Sequence, residues 1–192
     1  MRNVKRVVSV IMIAFILCGV LGFALPGGEA SAEDKYPIMG PSSVSIGQLM
    51  NYYKSNATYP SFYALADSDA PTLDDFCRIY LEECAAENVR AEVAFCQAMN
   101  ETGFLRYGGD GDIAAYNFAG IGAVDSSPDR FNWFPDVRTG VRAQVQHLKA
   151  YANDKDLVNA CVDPRFSLVK RNTAPYVEWL GINENPYGKG WA

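Results

Sequence analysis

Between Thr72 and Gly103 the sequence twice repeats apolar residues at helical spacing, and this pattern commits the middle of the chain to packed helices. In the first repeat Leu73, Phe76, Cys77, Tyr80, Leu81 and Cys84 fall on one face. Thr72, followed three residues later by Asp75, resembles a capping box that would start this helix. A break at Asn88-Val89 leads to a second helix, predicted from Ala91 to Glu101, with Ala94, Phe95, Ala98 and Met99 as its apolar stripe and Gly103 ending it. After Asp136, a fitting N-cap, the period returns with Val137, Val141, Val145, Leu148 and Ala152.

Weaker signals flank these three. Ser45 can cap a helix to about Asn56, with Ile46, Leu49, Met50 and Tyr53 on one face. The stretch Tyr59 to Ala70 is interrupted by Pro60 and aspartates and reads as irregular, while Thr173 to Leu180 reads as a short helix ending at Gly181. Residues 103–135 hold six glycines, several aspartates and many aromatics, which predicts a loop-rich lobe with a short β-hairpin.

The first 32 residues read as an export signal. Arg2, Lys5 and Arg6 precede an apolar run from Val7 to Leu25, and Ala30-Ser31-Ala32 follows as a cleavage site. Retention as a membrane anchor is the competing reading, since the run is long enough to span a bilayer core. Residues 33–43, with Pro37, Gly40 and Pro41, read as a linker. The remainder, 44–192, is expected to be one domain working outside the cytoplasm. Without Arg2, Lys5, Arg6 and Glu29 the chain keeps 14 of its 17 basic and 21 of its 22 acidic residues, a net charge of −7. That balance argues against nucleic acid and anionic membranes as partners.

Counting residue types removes most catalytic classes. A single histidine, His147, cannot serve a Ser-His-Asp triad, a Cys-His pair and a zinc site together, and its place beside Leu148 favours a structural or solvated role. No phosphate-binding glycine loop is present. The absence of a C-x-x-C pair speaks against zinc, so no metal or cofactor is expected. Four cysteines, Cys77, Cys84, Cys96 and Cys161, would remain after export, an even number in a compartment that permits disulfides. Cys77 and Cys84 stand about 10 Å apart along one helix, too far to bridge. Each could pair with Cys96 or Cys161, or be a small buried hydrophobe.

Carboxylate chemistry is left, and Glu101 stands out. It follows Ala98 by three residues and Ala94 by seven, which puts it on the apolar face with its carboxyl expected toward a wall of the core. It also lies in the last turn, where the helix dipole disfavours a negative charge. Both effects favour the protonated form, which is the state a general acid needs.

Met99-Asn100-Glu101-Thr102-Gly103-Phe104 resembles the E-[ST]-G-[WF] signature found where a lysozyme-like helix meets its cleft. Tyr116-Asn117-Phe118-Ala119-Gly120-Ile121 is similar to the N-[LF]-x-G-[IL] element of the bacterial N-acetylglucosaminidases of glycoside hydrolase family 73, and Phe134 to Tyr151 resembles a helix start of that family. The resemblance covers residues 70–192 and implies a mainly α, lysozyme-like domain whose loop lobe forms one cleft wall. It implies an endo-β-N-acetylglucosaminidase acting on peptidoglycan glycan strands, secreted or held at the cell wall and monomeric, with Glu101 as the acid. A muramidase or lytic transglycosylase using the same glutamate, and a wall-binding protein without turnover, are the rivals. Asp125 and Asp129 become candidates for the second catalytic carboxylate, with Asp136 better explained as a cap and the substrate's own acetamido group as the remaining option. Thr102, Tyr107, Tyr116, Asn117, Phe118, Gly120, Trp133 and Tyr176 become candidate substrate contacts. Members of the family usually continue past an element like Trp191-Ala192, so a further segment is expected.

Overall fold

The protein is described here from a computed structural model over residues 35–108, 112–122, 132–181 and 185–186. The export signal lies outside these residues, as do Asp125 and Asp129. The fold is mainly helical. Among the described residues the helices are α1 (Ile46–Lys54), α2 (Phe62–Leu65), α3 (Leu73–Glu87), α4 (Ala91–Thr102) and α5 (Val137–Ala152), with 3-10 turns at Ile113–Ala115, Phe166–Leu168 and Val177–Leu180. None is long and apolar enough to cross a membrane.

Helix starts follow the local signals. Ser45 and Gln48 form a full capping box for α1, and Thr72 and Asp75 do the same for α3. Asp136 accepts the Thr139 amide at 2.7 Å to cap α5. A second carboxylate joins from a distance: Asp69 accepts the amides of Val137 and Arg138, both at 2.9 Å. Two acceptors thus satisfy the free N–H groups of α5 and favour its positive end. The stretch before Asp69, expected to be irregular, contains the single turn α2, which buries Tyr63 completely.

Helices α3 and α5 run side by side in the same direction, because Glu83 meets Arg138 and Arg142 while Glu87, one turn on, meets Lys149. Gln144 stitches three helices together: its amide donates to the Ala94 carbonyl and to Gln97, and its oxygen accepts from Tyr80. Every polar atom of this buried side chain that faces the core therefore has a partner, as burial requires. Around it Phe76, Tyr80, Phe95 and Phe118 pack edge to face or tilted, with ring centroids 5.1–6.4 Å apart.

Several expectations need correction. Residues 33–43 are expected as a linker, yet in the part the structure describes, from residue 35, Ile38 is fully buried, its amide bonds Pro175, and its carbonyl accepts from Arg90. The helix expected from Thr173 shortens to the turn Val177–Leu180 because Pro175 disfavours helical backbone before it and Tyr176 is extended, bridging Pro37. In the loop lobe the described residues form one 3-10 turn and no strand, so they hold no hairpin. All four cysteines are free thiols: Cys77 and Cys84 are buried as small hydrophobes, Cys96 is half-buried and Cys161 exposed. His147 is structural, its Nδ1 2.6 Å from the Asp163 carboxylate.

The lobe is set against α5 by one close approach. A Cβ built on Gly140 would lie 1.8 Å from the Tyr116 carbonyl oxygen, so only glycine lets that backbone lie on the helix.

Candidate active site

Helix α4 is buried along most of its length, with Ala94, Phe95, Ala98 and Met99 fully enclosed. Its end is a Schellman motif: Gly103 sits at φ 58°, its amide bonds Asn100, and the Phe104 amide bonds Met99. The left-handed backbone then continues through Phe104 at φ 60° and Leu105 at φ 59°, and returns at Tyr107 at φ 45°. Side chains with a Cβ rarely hold such angles unless their surroundings fix them. Here Thr102 Oγ1 accepts the Leu105 amide at 2.9 Å, the Tyr107 amide bonds the Thr102 carbonyl at 2.9 Å, and Tyr53 donates to the Phe104 carbonyl at 3.0 Å.

Glu101 lies one residue before the end of α4. Its side chain is accessible to solvent, which corrects the expectation that it points at the core. Thr102, four residues after Ala98, takes the buried line instead, and Glu101 falls on its flank. Solvent reaches the carboxyl, but the protein mass around the helix end removes enough water to raise its pKa by desolvation. Among the described residues no hydrogen bond or ion pair opposes that rise. An accessible carboxyl biased toward its protonated form can present a proton to a molecule lying over the end of α4.

The other candidates divide. Thr102 is 3% exposed, its hydroxyl donating to Ala98 and accepting from Leu105, so it builds the turn and faces no ligand. Asn117 is 2% exposed and staples the lobe: its amide nitrogen donates to the carbonyls of Ile121 and Asn132, and its oxygen accepts the Ile121 amide. Phe118 is a core ring packed on Phe76 and Tyr80. These three are corrected from substrate contacts to scaffold. Tyr107 turns its hydroxyl into the protein, where it faces the hydroxyl of Tyr63 without an aligned hydrogen bond, and burial raises its pKa. Tyr116 is half-buried, its ring 6.2 Å from that of Tyr63 and nearly parallel to it. Gly120, at φ 61°, has open space where a Cβ would stand. Trp133 is 61% exposed and is held beside Ala115 through the Phe134 amide. Tyr176 packs edge to face on Trp179 and its backbone bridges Pro37.

Tyr53, expected only on the apolar face of α1, and Tyr63, with no expected role, both support the turn after Glu101. Tyr63 touches both Tyr107 and Tyr116 and so joins the turn after Glu101 to the lobe. The density of aromatics from Tyr52 to Tyr63 was a visible signal, but nothing local tells which of them reaches a turn some 50 residues away.

The family model for mannosyl-glycoprotein endo-beta-N-acetylglucosaminidase, Glucosaminidase, matches residues 77–189. The chain belongs to the Glucosaminidase family. Its domain is therefore of the glycoside hydrolase type, and Glu101, α4, the lobe and α5 all lie inside the matched region, whereas α1 and α2 precede it. A protein of Borreliella burgdorferi, described only as uncharacterized, is 36% identical over 109 residues, covering 57% of this chain and 53% of that protein. The chain thus spans about half the length of that curated relative. No solved structure matches the glucosaminidase chain.

Proposed function

We propose that this glucosaminidase cuts β-1,4 bonds of peptidoglycan as an endo-β-N-acetylglucosaminidase, outside the cytoplasm, with Glu101 as general acid. The observation that carries the reading is the state of Glu101: accessible, next to a hydrogen-bonded turn at the end of a buried helix, and biased toward protonation by desolvation. In the proposed step the Glu101 proton passes to the bridging oxygen as the bond from that oxygen to the anomeric carbon breaks. Water supplies the hydroxyl that ends on the anomeric carbon, and its remaining proton restores the acid. Asp125, Asp129 or the substrate's acetamido group would support the anomeric centre as positive charge develops there. Trp133 and Tyr116, accessible beside the lobe, are the aromatic faces best placed to carry sugar rings.

The test is digestion of purified cell wall by wild type and Glu101→Gln, with the new reducing ends identified by mass spectrometry. A reducing N-acetylglucosamine from wild type alone supports the proposal. A reducing or anhydro muramic end would assign the bond choice to the muramidase or transglycosylase rival. Retained activity in Glu101→Gln would remove the central role of the acid.

A further inference from the structure

The strained turn after Glu101 has a second product. By reversing the chain over Gly103, Phe104 and Leu105, it brings Arg106 back onto the turn that follows the acid. Arg106 Nε donates to the Gly103 carbonyl at 2.8 Å, and its guanidinium lies over the Phe104 ring, 5.9 Å from the centroid. Gly103 is two residues from Glu101, so their Cα atoms lie within about 7.6 Å of each other. The side chain is exposed, and only Nε is engaged: among the described residues neither Nη atom has a hydrogen-bond partner and no carboxylate pairs with the charge.

Arg78, Arg90, Arg138 and Arg142 each hold a carboxylate, whereas among the described residues Arg106, Arg165 and Arg171 hold none; Arg171 spends Nη2 as well as Nε on backbone carbonyls, and Arg106 is the one that lies on the turn after the acid. The protein as a whole is acidic, so an unmatched arginine is not explained by a shortage of partners. The backbone bond at Nε and the Phe104 ring beneath the cation restrain the guanidinium while leaving its two outer nitrogens as a fork. A fork of this kind matches a carboxylate with two parallel hydrogen bonds, and restraint before binding lowers the entropy lost on binding.

We propose that Arg106 is a substrate-binding residue that recognises a carboxylate on the glycan strand next to the bond being cut, and so selects anionic wall strands over neutral N-acetylglucosamine polymers. The inference rests on the proposed function for its substrate class. Two sources supply the same chemistry: the peptide attached to the muramic sugar, and the sugar's own lactyl carboxylate where no peptide is attached.

The experiment separates these sources and separates this inference from the catalytic one. Binding of three strands is measured at equilibrium in the Glu101→Gln background, with and without Arg106→Gln: peptide-bearing strands, strands stripped of peptide, and a neutral N-acetylglucosamine hexamer. Arg106→Gln is expected to weaken at least one anionic strand by about tenfold or more while leaving the hexamer unchanged. Arg106→Lys, which keeps the charge but loses the fork, should recover part of the loss. The strand that loses affinity identifies the carboxylate. Equal weakening of all three strands, or no weakening of either anionic one, would overturn the inference. Loss of discrimination in binding, together with wild type that cleaves none of the three, would sink the catalytic reading and leave this one standing.

Discussion

Two glutamates at the ends of consecutive helices have been given opposite electrostatics. Glu87 is the last residue of α3 and is 1% exposed, yet its pKa is lowered. Glu101, near the end of α4, is solvent-accessible, yet its pKa is raised. Burial acts upward on both. At Glu87 it is outweighed by Lys149 at 2.7 Å and by the amides of Asn159 at 2.9 Å and Val158 at 3.0 Å. At Glu101 nothing among the described residues outweighs it. The lesson is that donors facing a carboxyl, more than its accessibility, decide which protonation state the fold favours. Glu83, clamped by Arg142 and Arg138, belongs with Glu87. The α3–α5 seam is thus a region of matched charge, and the end of α4 is a region left unmatched.

The largest effect that tests this contrast is catalytic. Glu101→Gln keeps the shape and loses the proton, so kcat/KM on cell wall should fall by about 10²- to 10⁴-fold. Stability should move the other way. A raised folded pKa means that ionised Glu101 weakens the fold at neutral pH, so the variant should unfold at an equal or higher temperature than wild type. A clear drop in melting temperature would show that Glu101 has a structural partner and break the contrast.

Next in size is the opposite manipulation. Lys149→Met leaves the buried Glu87 with two amides and no cation, an arrangement that typically costs about 3–5 kcal/mol. Denaturant unfolding at pH 7 should register that loss, while activity per folded molecule stays near wild type. A loss well below 1 kcal/mol would mean that the two amides alone hold Glu87.

The two carboxyls should also separate on the pH axis. Glu101 has a folded pKa above its unfolded value, and activity needs its protonated form, so kcat/KM should decline as pH rises through that raised pKa. Glu87 and Glu83 have folded pKa values below their unfolded ones. Their contribution to stability is full above the ordinary carboxylate range and is lost as pH falls through the lowered values. A melting curve across acidic pH should therefore fall in a range where the enzyme's acid is still protonated. Lys149→Met should flatten that fall and leave the activity profile in place.

These regions were unequally legible in the sequence. Helix starts at Ser45, Thr72 and Asp136 could be read because a cap and its target amide lie three residues apart. The rise in the Glu101 pKa was legible from its place at the end of a buried helix, with desolvation as its cause, but the facing of the side chain was not, because a shift of one residue at a helix end turns a side chain by about 100°. Thr102, Asn117 and Phe118 were misassigned for a different reason. Motif residues that shape a site and those that touch a ligand look alike until the partners of each hydroxyl, amide and ring are known. The partners of Asn117 include the Asn132 carbonyl, and those of Phe118 include Phe76, both far away in sequence. Asp69 capping α5 and Tyr53 holding Phe104 were hidden by the same distance.

The smallest expected effect returns to the two helix ends, since each stops on a left-handed residue: Asn88 at φ 56° after Glu87 and Gly103 at φ 58° after Glu101. A Cβ on Gly103 would meet nothing within 4 Å, so Gly103→Ala has conformational strain as its only penalty, about 1–2 kcal/mol. Asn88→Gly relieves a milder strain but gives the unfolded chain more freedom, so the two terms should nearly cancel, within about 1 kcal/mol. If the α4 end is held as described, Gly103→Ala should lower stability without lowering kcat, because Thr102, Tyr53 and the Tyr107 amide still fix the turn. A fall in kcat at unchanged KM, with Asn88→Gly silent in both, would instead show that the turn's left-handed start sets the position of the acid, and would make backbone strain the feature that distinguishes the two ends.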